Sequence, residues 1–327
     1  MMDDISIKSK DIGFKKNFVK LFYSQAMLLV LIIFLVLMSF ASDKFLTLGN
    51  LFNIIRQVSV LGIMACGMTI VVIGKGMDLS AASILALCAV VNVILQPFGY
   101  ITAISAAILT GIICGSINGY LIGKIKANFI IVTLGTQILF TATALIMTGG
   151  RNLKSRTERI FSYIGDESIL GIPVMAYILI IVFIIFGILL HKTVAGRRLF
   201  ATGLNDKAAK VAGINTSNII MGSYVVNGFV IAVASVILTS RLPRIRVGTA
   251  SYYLFDVITI VVLGGTALSG GVGGIYKTAI GLMIFAVMNN GMVLTGIPFE
   301  YQQMIKGIIL ILAVLYDEFN RRKRLLY

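Results

Sequence analysis

Apolar runs of about the length that crosses a bilayer follow one another along almost the whole chain, at roughly 24 to 41, 54 to 73, 79 to 96, 101 to 123, 128 to 147, 173 to 190, 218 to 239, 254 to 270, 277 to 296 and 302 to 316. They predict an all-α polytopic membrane protein with about ten transmembrane helices. The runs at 79 to 96 and 254 to 270 are short or interrupted by Gly, so broken or re-entrant helices are expected there. One polar, basic stretch stands apart, His191 to Thr216 (HKTVAGRRLFATGLNDKAAKVAGINT), far from either terminus. The organisation expected is an N-terminal segment 1 to 23, a single transmembrane domain 24 to 317 containing the loop 191 to 216, and a basic tail 318 to 327. The first apolar run is longer than a signal-peptide core and is followed by Asp43 and Lys44 without a small-residue cleavage site, so it is read as a retained helix.

Basic residues orient these crossings. Lys8, Lys10, Lys15, Lys16 and Lys20 precede the first helix, and ten crossings from an inside N-terminus place Lys124, Lys126, the 191 to 216 loop and the tail Arg321, Arg322, Lys323 and Arg324 on that same cytoplasmic side. The outer loops are less basic: one holds Arg151, Lys154, Arg156 and Arg159, the other Arg241, Arg244 and Arg246. At 58% hydrophobic and 13% charged residues the chain is too apolar for a soluble domain. Its net charge of +15 therefore reports membrane orientation and contact with lipid headgroups, and nucleic acid is not an expected partner.

The chemistry available is narrow. Cys66, Cys88 and Cys114 lie inside apolar runs without metal-ligand spacing, and His191 is the single histidine, so neither a metal site nor catalysis is expected. No GxxxxGK[ST] occurs, so any use of ATP must come from another subunit. Gly111, Gly115, Gly119 and Gly123 recur every four residues and favour close helix packing. The cluster Leu263 to Gly274 (LGGTALSGGVGG) cannot sustain a regular helix and implies a backbone break.

Two internal similarities compete. Asn118-Gly119 and Asn290-Gly291 share a downstream spacing to a Gly and lie on helices of opposite direction, as an inverted repeat requires. TIVVIG at Thr69 to Gly74 against TIVVLG at Thr259 to Gly264 requires parallel helices; of the two, the longer, inverted match is preferred.

Lys75 and Asp78, in GKGMDLSAAS, interrupt apolar sequence. A charge at membrane depth is functional by default, although Asp78 also suits the role of N-cap to the helix that follows. Asn118, Asn227 and Asn290 are uncharged amides in apolar runs, suited to interhelical bonding or to contact with a passing polyol. Asp78, Asn118 and Asn290 are the candidate pathway residues. In the central loop, Asn205 is a candidate N-cap with Asp206 in the first turn, Lys207 to Ala212 favour helix, and Gly213 ends it. Ala208 and Ala209 keep the face slim enough for a groove, and Arg197, Arg198, Lys207 and Lys210 can meet an acidic rim; a loop lying on anionic headgroups is the alternative.

Several stretches taken in order resemble the permease subunits of bacterial ABC sugar importers of the ribose, xylose, galactose and autoinducer-2 type: GMDLSAAS from Gly76, the GxxNG helix leading to FIIVTLGT at Phe129 to Thr136, TGGR at Thr148, GRRLFATGLNDKAAKVAGI at Gly196 to Ile214, LGGTALSGGVG at Leu263 to Gly273, NNG at Asn289 to Gly291 and the final LYDEFNRR. The resemblance implies a multi-pass bacterial inner-membrane permease, both termini cytoplasmic, in a homodimer or pseudo-dimer. It further implies a solute-binding protein outside and an ATP-binding subunit inside, which carries the ATP and Mg; the chain itself needs no cofactor. It makes the segment Asn205 to Gly213, with Arg197, Arg198, Asp206, Ala208 and Ala209, the coupling helix for the ATPase. Arg151, Arg156, Arg241, Arg244 and Arg246 are candidate contacts for acidic residues of the binding protein. The chain departs from the family pattern at Lys75 and Ala82, where Gly is usual, at Leu204 within the usual GGN, at Ala127-Asn128 in place of a Pro-rich turn, and at Leu254 in place of a common Glu. These departures bear on substrate identity more than on mechanism. Two rival classes are an ion-coupled secondary transporter working through Asp78 and a membrane scaffold without flux.

Overall fold

The computed structural model describes residues 26 to 155 and 159 to 325. The N-terminal lysines and Arg156 therefore lie outside the described residues. Helices α1 (Ala26–Ala41), α2 (Leu48–Ile73), α3 (Ala81–Leu95), α4 (Tyr100–Gly119), α5 (Phe129–Thr148), α7 (Val174–Lys192), α10 (Thr216–Arg241), α11 (Tyr253–Leu263), α12 (Ile275–Leu294) and α13 (Phe299–Leu325) correspond to the ten apolar runs. Three shorter helices, α6 (Arg159–Asp166), α8 (Val194–Leu204) and α9 (Asp206–Val211), complete the set among the described residues. Eight of the helices are long and apolar enough to cross a membrane, while α1 and α11 are shorter apolar segments.

The bundle is organised around α2. Of its most apolar window 83% is buried, against 6% for α13, whose apolar side chains are turned outward as lipid-facing residues are. Thr47 caps α2 by accepting from the Asn50 amide, and Asn128 caps α5 by accepting from the Ile130 amide. α4 ends in a π-helical turn, Tyr120–Lys124. Its glycine stripe packs on α10 backbone: a Cβ at Gly119 would lie 2.6 Å from the Met221 carbonyl oxygen, and one at Gly123 2.7 Å from that of Ser217. Small residues thus permit backbone approach where hydrophobicity alone gives helices no reason to associate. Cys66, Cys88 and Cys114 are free and buried.

The two basic loops after α5 and α10, and the segment before α7, contain short strands that the apolar pattern did not indicate. β1 (Leu153–Lys154) pairs antiparallel with β4 (Arg244–Ile245), with Lys154 opposite Arg244, so the two basic loops are joined. β2 (Ser168–Ile169) and β3 (Ile172–Pro173) form a second antiparallel pair.

The run 254 to 270 is broken as expected, whereas 79 to 96 is one continuous helix and the interruption lies before it. α2 stops at Ile73 and α3 begins at Ala81; α11 stops at Leu263 and α12 begins at Ile275. Their turns share one hydrogen-bond pattern. Gly74, Lys75 and Gly76 donate to the carbonyls of Ile70, Val72 and Val71, and Gly264, Gly265 and Thr266 donate to those of Ile260, Val262 and Val261. The middle residue of each is left-handed, Lys75 at φ 67° and Gly265 at φ 83°. TIVVIG and TIVVLG thus end in the same kind of turn, a common form of helix C-terminus. Asn118 and Asn290 sit near opposite ends of α2, a helix about 39 Å long at 1.5 Å per residue, as residues related by inversion do, although their partners differ.

Candidate functional site

Beyond the first break lies Asp78, fully buried. Its Oδ1 accepts from the Ser80 backbone amide at 3.0 Å, from Ser80 Oγ, and from Asn118 Nδ2 at 3.3 Å; its Oδ2 accepts from Asn227 Nδ2 at 2.8 Å. Tyr224 adds a bond from its hydroxyl to the Met77 carbonyl at 3.2 Å. The carboxylate thus serves the start of α3, as a cap would, and also ties α3 to α4 and α10. Lys75 is exposed and has no part in this network. Four donated bonds offset the cost of taking the carboxylate out of water.

Asn290, at the other end of α2, exchanges two 2.9 Å hydrogen bonds with Asn50. Asp78, Asn118 and Asn290 are thus buried and bonded between helices, the commoner fate of polar groups in a bundle, and none of the three lines the polar cavity. The open polar cavity, about 350 Å³, lies instead between α3 and α5 and is lined by Ala82, Ser83, Gln137, Thr141, Arg151 and Arg246, among others. This volume is at the lower end of small-ligand sites, about 300–1,000 Å³. Gln137 and Thr141 were missed in the sequence, although Thr133, Gln137 and Thr141 recur every four residues in an apolar run and mark one helix face.

Arg151 and Arg246 flank the cavity, and Arg244 lies on β4; all three are exposed, and no ion pair engages them among the described residues. Arg241 differs. It is half-buried and donates to the Arg56 carbonyl at 3.0 Å, which makes it a tether between α10 and α2 rather than a free docking side chain.

The central loop folds as an elbow of two helices. Thr193 caps α8, and Asn205 both donates its backbone amide to Ala201 and accepts from the Ala208 amide, linking α8 to α9. Gly213 is left-handed at φ 80°. The α9 cap and the stop at Gly213 lie where the residue pattern put them; α8 was not foreseen. Ala209 faces inward at 4% exposure, while Ala208, Arg197 and Arg198 are exposed. Lys210 pairs with Asp206 one turn away, an exposed pair across the loop helix. That hydrogen bond holds the Asp206 carboxyl below the usual carboxylate range. Val211 is 91% exposed and Leu204 65%, two apolar side chains on a polar loop.

A second charged pair lies within the bundle. Lys306 of α13 pairs with Asp256 of α11 at 3.3 Å and stands 5.1 Å above the Phe285 ring. Farther along α13, Asp317 accepts from the Leu268 amide at 3.1 Å, inside the second break.

Apolar helices of membrane-spanning length and two breaks that a polar elbow contacts, together with a polar cavity between α3 and α5, are the features of a polytopic membrane transport subunit. The chain belongs to the family described as branched-chain amino acid transport system / permease component, whose model matches residues 50–314. The ribose import permease protein RbsC of Bacillus subtilis (strain 168) is 40% identical over 290 residues, covering 88% of this chain and 90% of the relative. RbsC of Escherichia coli (strain K12) is 35% identical over 298 residues, 90% and 93% of the two chains. The L-arabinose ABC transporter permease protein AraH of Azospirillum brasilense is 35% identical over 304 residues, 90% and 88%. No solved structure gives a significant match. The resemblance to sugar-importer permeases is thus borne out: the family is one of multi-pass transport permeases, which work in general with an ATPase and a binding protein.

Proposed function

We infer that this chain forms the route by which an ATP-binding-cassette importer takes up a sugar, with a pentose such as ribose the first candidate, delivered by an extracytoplasmic solute-binding protein. The observation that carries this reading is the 40% identity to a ribose import permease across 90% of that relative. Geometry supports it from two sides. The 350 Å³ cavity offers hydroxyl, amide and guanidinium groups suited to a polyol. The elbow α8–α9 presents exposed Val211, Leu204 and Ala208, apolar surface that a partner would cover.

In this scheme two copies of the chain assemble, both termini lie in the cytoplasm, and an ATP-binding subunit carrying ATP and Mg docks on Asn205 to Gly213. Arg151, Arg244 and Arg246 receive acidic residues of the binding protein at the outer face. An ion-coupled mechanism through Asp78 is not retained, because that carboxylate is enclosed by its own donors. Proteoliposomes containing this chain, its ATPase and its binding protein are expected to accumulate labelled D-ribose or L-arabinose with ATP inside and vanadate sensitivity. Uptake by the chain alone, abolished by an uncoupler and indifferent to vanadate, would refute the reading.

A further inference from the structure

The two helix breaks meet. The Gly271 amide donates to the Ile73 carbonyl at 2.9 Å, joining the segment after α11 to the end of α2. Gly270 lies against Lys75, where an added Cβ would stand 3.0 Å from the Lys75 Cα. The C-terminus of α8 closes over this junction. A Cβ on Gly203 would overlap the Ile73 carbonyl oxygen and lie 2.7 Å from the Gly271 amide nitrogen. Its neighbour Leu204 packs on Gly271, and a Cβ on Gly74 would lie 3.1 Å from Leu199 Cδ1.

We propose that Gly203 is the positioning residue of an inner latch: α8 holds the broken ends of α2 and α11 together, and movement of the elbow α8–α9 opens them. The proposal rests on the reading of Asn205 to Gly213 as the ATPase-coupling helix. Asn205 bonds to both halves of the elbow, so displacement of α9 is passed to Gly203 two residues away. Downstream, only four residues separate Ile73 from Asp78, whose bonds to Asn118 and Asn227 anchor the start of α3, and α3 then lines the cavity through Ala82 and Ser83. The second break can absorb rotation, since Gly265, Gly270 and Gly271 occupy left-handed backbone conformations. Deeper in the bundle, Thr69 and Thr278 share a 2.7 Å hydrogen bond between α2 and α12, which leaves a pivot in place when the latch separates.

The test uses the complete complex. Spin labels on Lys75→Cys, at the first break, and Ala195→Cys, on the exposed start of α8, report the latch without requiring the right sugar. Their separation is expected to change when ATP and vanadate trap the ATPase, and an unchanged separation overturns the proposal. In the unlabelled complex, Gly203→Ala is expected to copurify with the ATPase yet lose ATP-driven uptake at least about tenfold, within the roughly 5- to 150-fold range of coupling between sites. Its ATP hydrolysis should also cease to respond to the loaded binding protein, which a loss of stability alone does not predict. Leu204→Ala, which adds no atoms, is expected to show the same uncoupling in weaker form. Gly222→Ala, with nothing within 4 Å, should behave as wild type. Undiminished uptake in both Gly203→Ala and Leu204→Ala refutes the latch alone. Failure of the wild-type chain to bind an ATP-binding subunit refutes the coupling reading and the latch with it.

Discussion

Replacing Asp78 by Ala tests whether a single buried carboxylate joins three helices. The substitution removes the acceptor of the Asn227 amide at 2.8 Å and of the Ser80 backbone amide at 3.0 Å. The Asn118 amide keeps a second acceptor, Ser80 Oγ at 2.8 Å, and the Ser80 hydroxyl is able to rotate toward another. Two buried donors are therefore stranded, at about 1–3 kcal/mol each, for a loss of about 2–6 kcal/mol. Asp78→Asn preserves shape and one acceptor oxygen while turning an amide toward Asn227, so its cost should be smaller, about 1–3 kcal/mol. Interhelical hydrogen bonds in membranes average only about 0.6 kcal/mol where the separated helices find other partners. The larger figure applies here because Asp78 is 0% exposed and its donors are enclosed with it. Equilibrium unfolding in mixed micelles, followed by far-ultraviolet circular dichroism, measures the difference. A loss below about 1 kcal/mol for Asp78→Ala, or a greater loss for Asp78→Asn, would refute the reasoning.

Breaking the Asp256–Lys306 pair should cost more than removing both charges: Lys306→Ala strands a buried carboxylate at about 3–5 kcal/mol, whereas Asp256→Leu combined with Lys306→Met should be far milder, as the same unfolding assay will report. Lys75→Gly relieves a left-handed non-glycine residue and should stabilise the chain by about 1 kcal/mol; a lowered melting temperature would contradict that account. Gly213→Val places a β-branched residue at φ 80°, and should abolish ATP-coupled uptake while the protein still inserts into membranes, checked by transport and by membrane fractionation.

The span pattern was legible in the chain because the bilayer thickness fixes run length and each crossing must satisfy its own backbone. The short helix α9 was equally legible, since Asn205, Ala208 and Gly213 act within a few residues of one another. Gly-rich sequence announced the second break, and a departure from the apolar pattern at Lys75 and Asp78 announced the first. The site was a different matter. Asp78 pairs with Asn118 and Asn227, Asn290 finds Asn50, Arg241 finds the Arg56 carbonyl, and Gly271 finds Ile73. These pairings form across helices distant in sequence, and residue type alone cannot say whether an amide faces a cavity or a neighbour. Gln137, Thr141 and Ser83 likewise become one surface only when α3 and α5 are set side by side. Local capping and bilayer length are short-range constraints that a sequence carries on its face. Which polar side chains are consumed by packing, and which remain open to a solute, is decided by the arrangement of the helices.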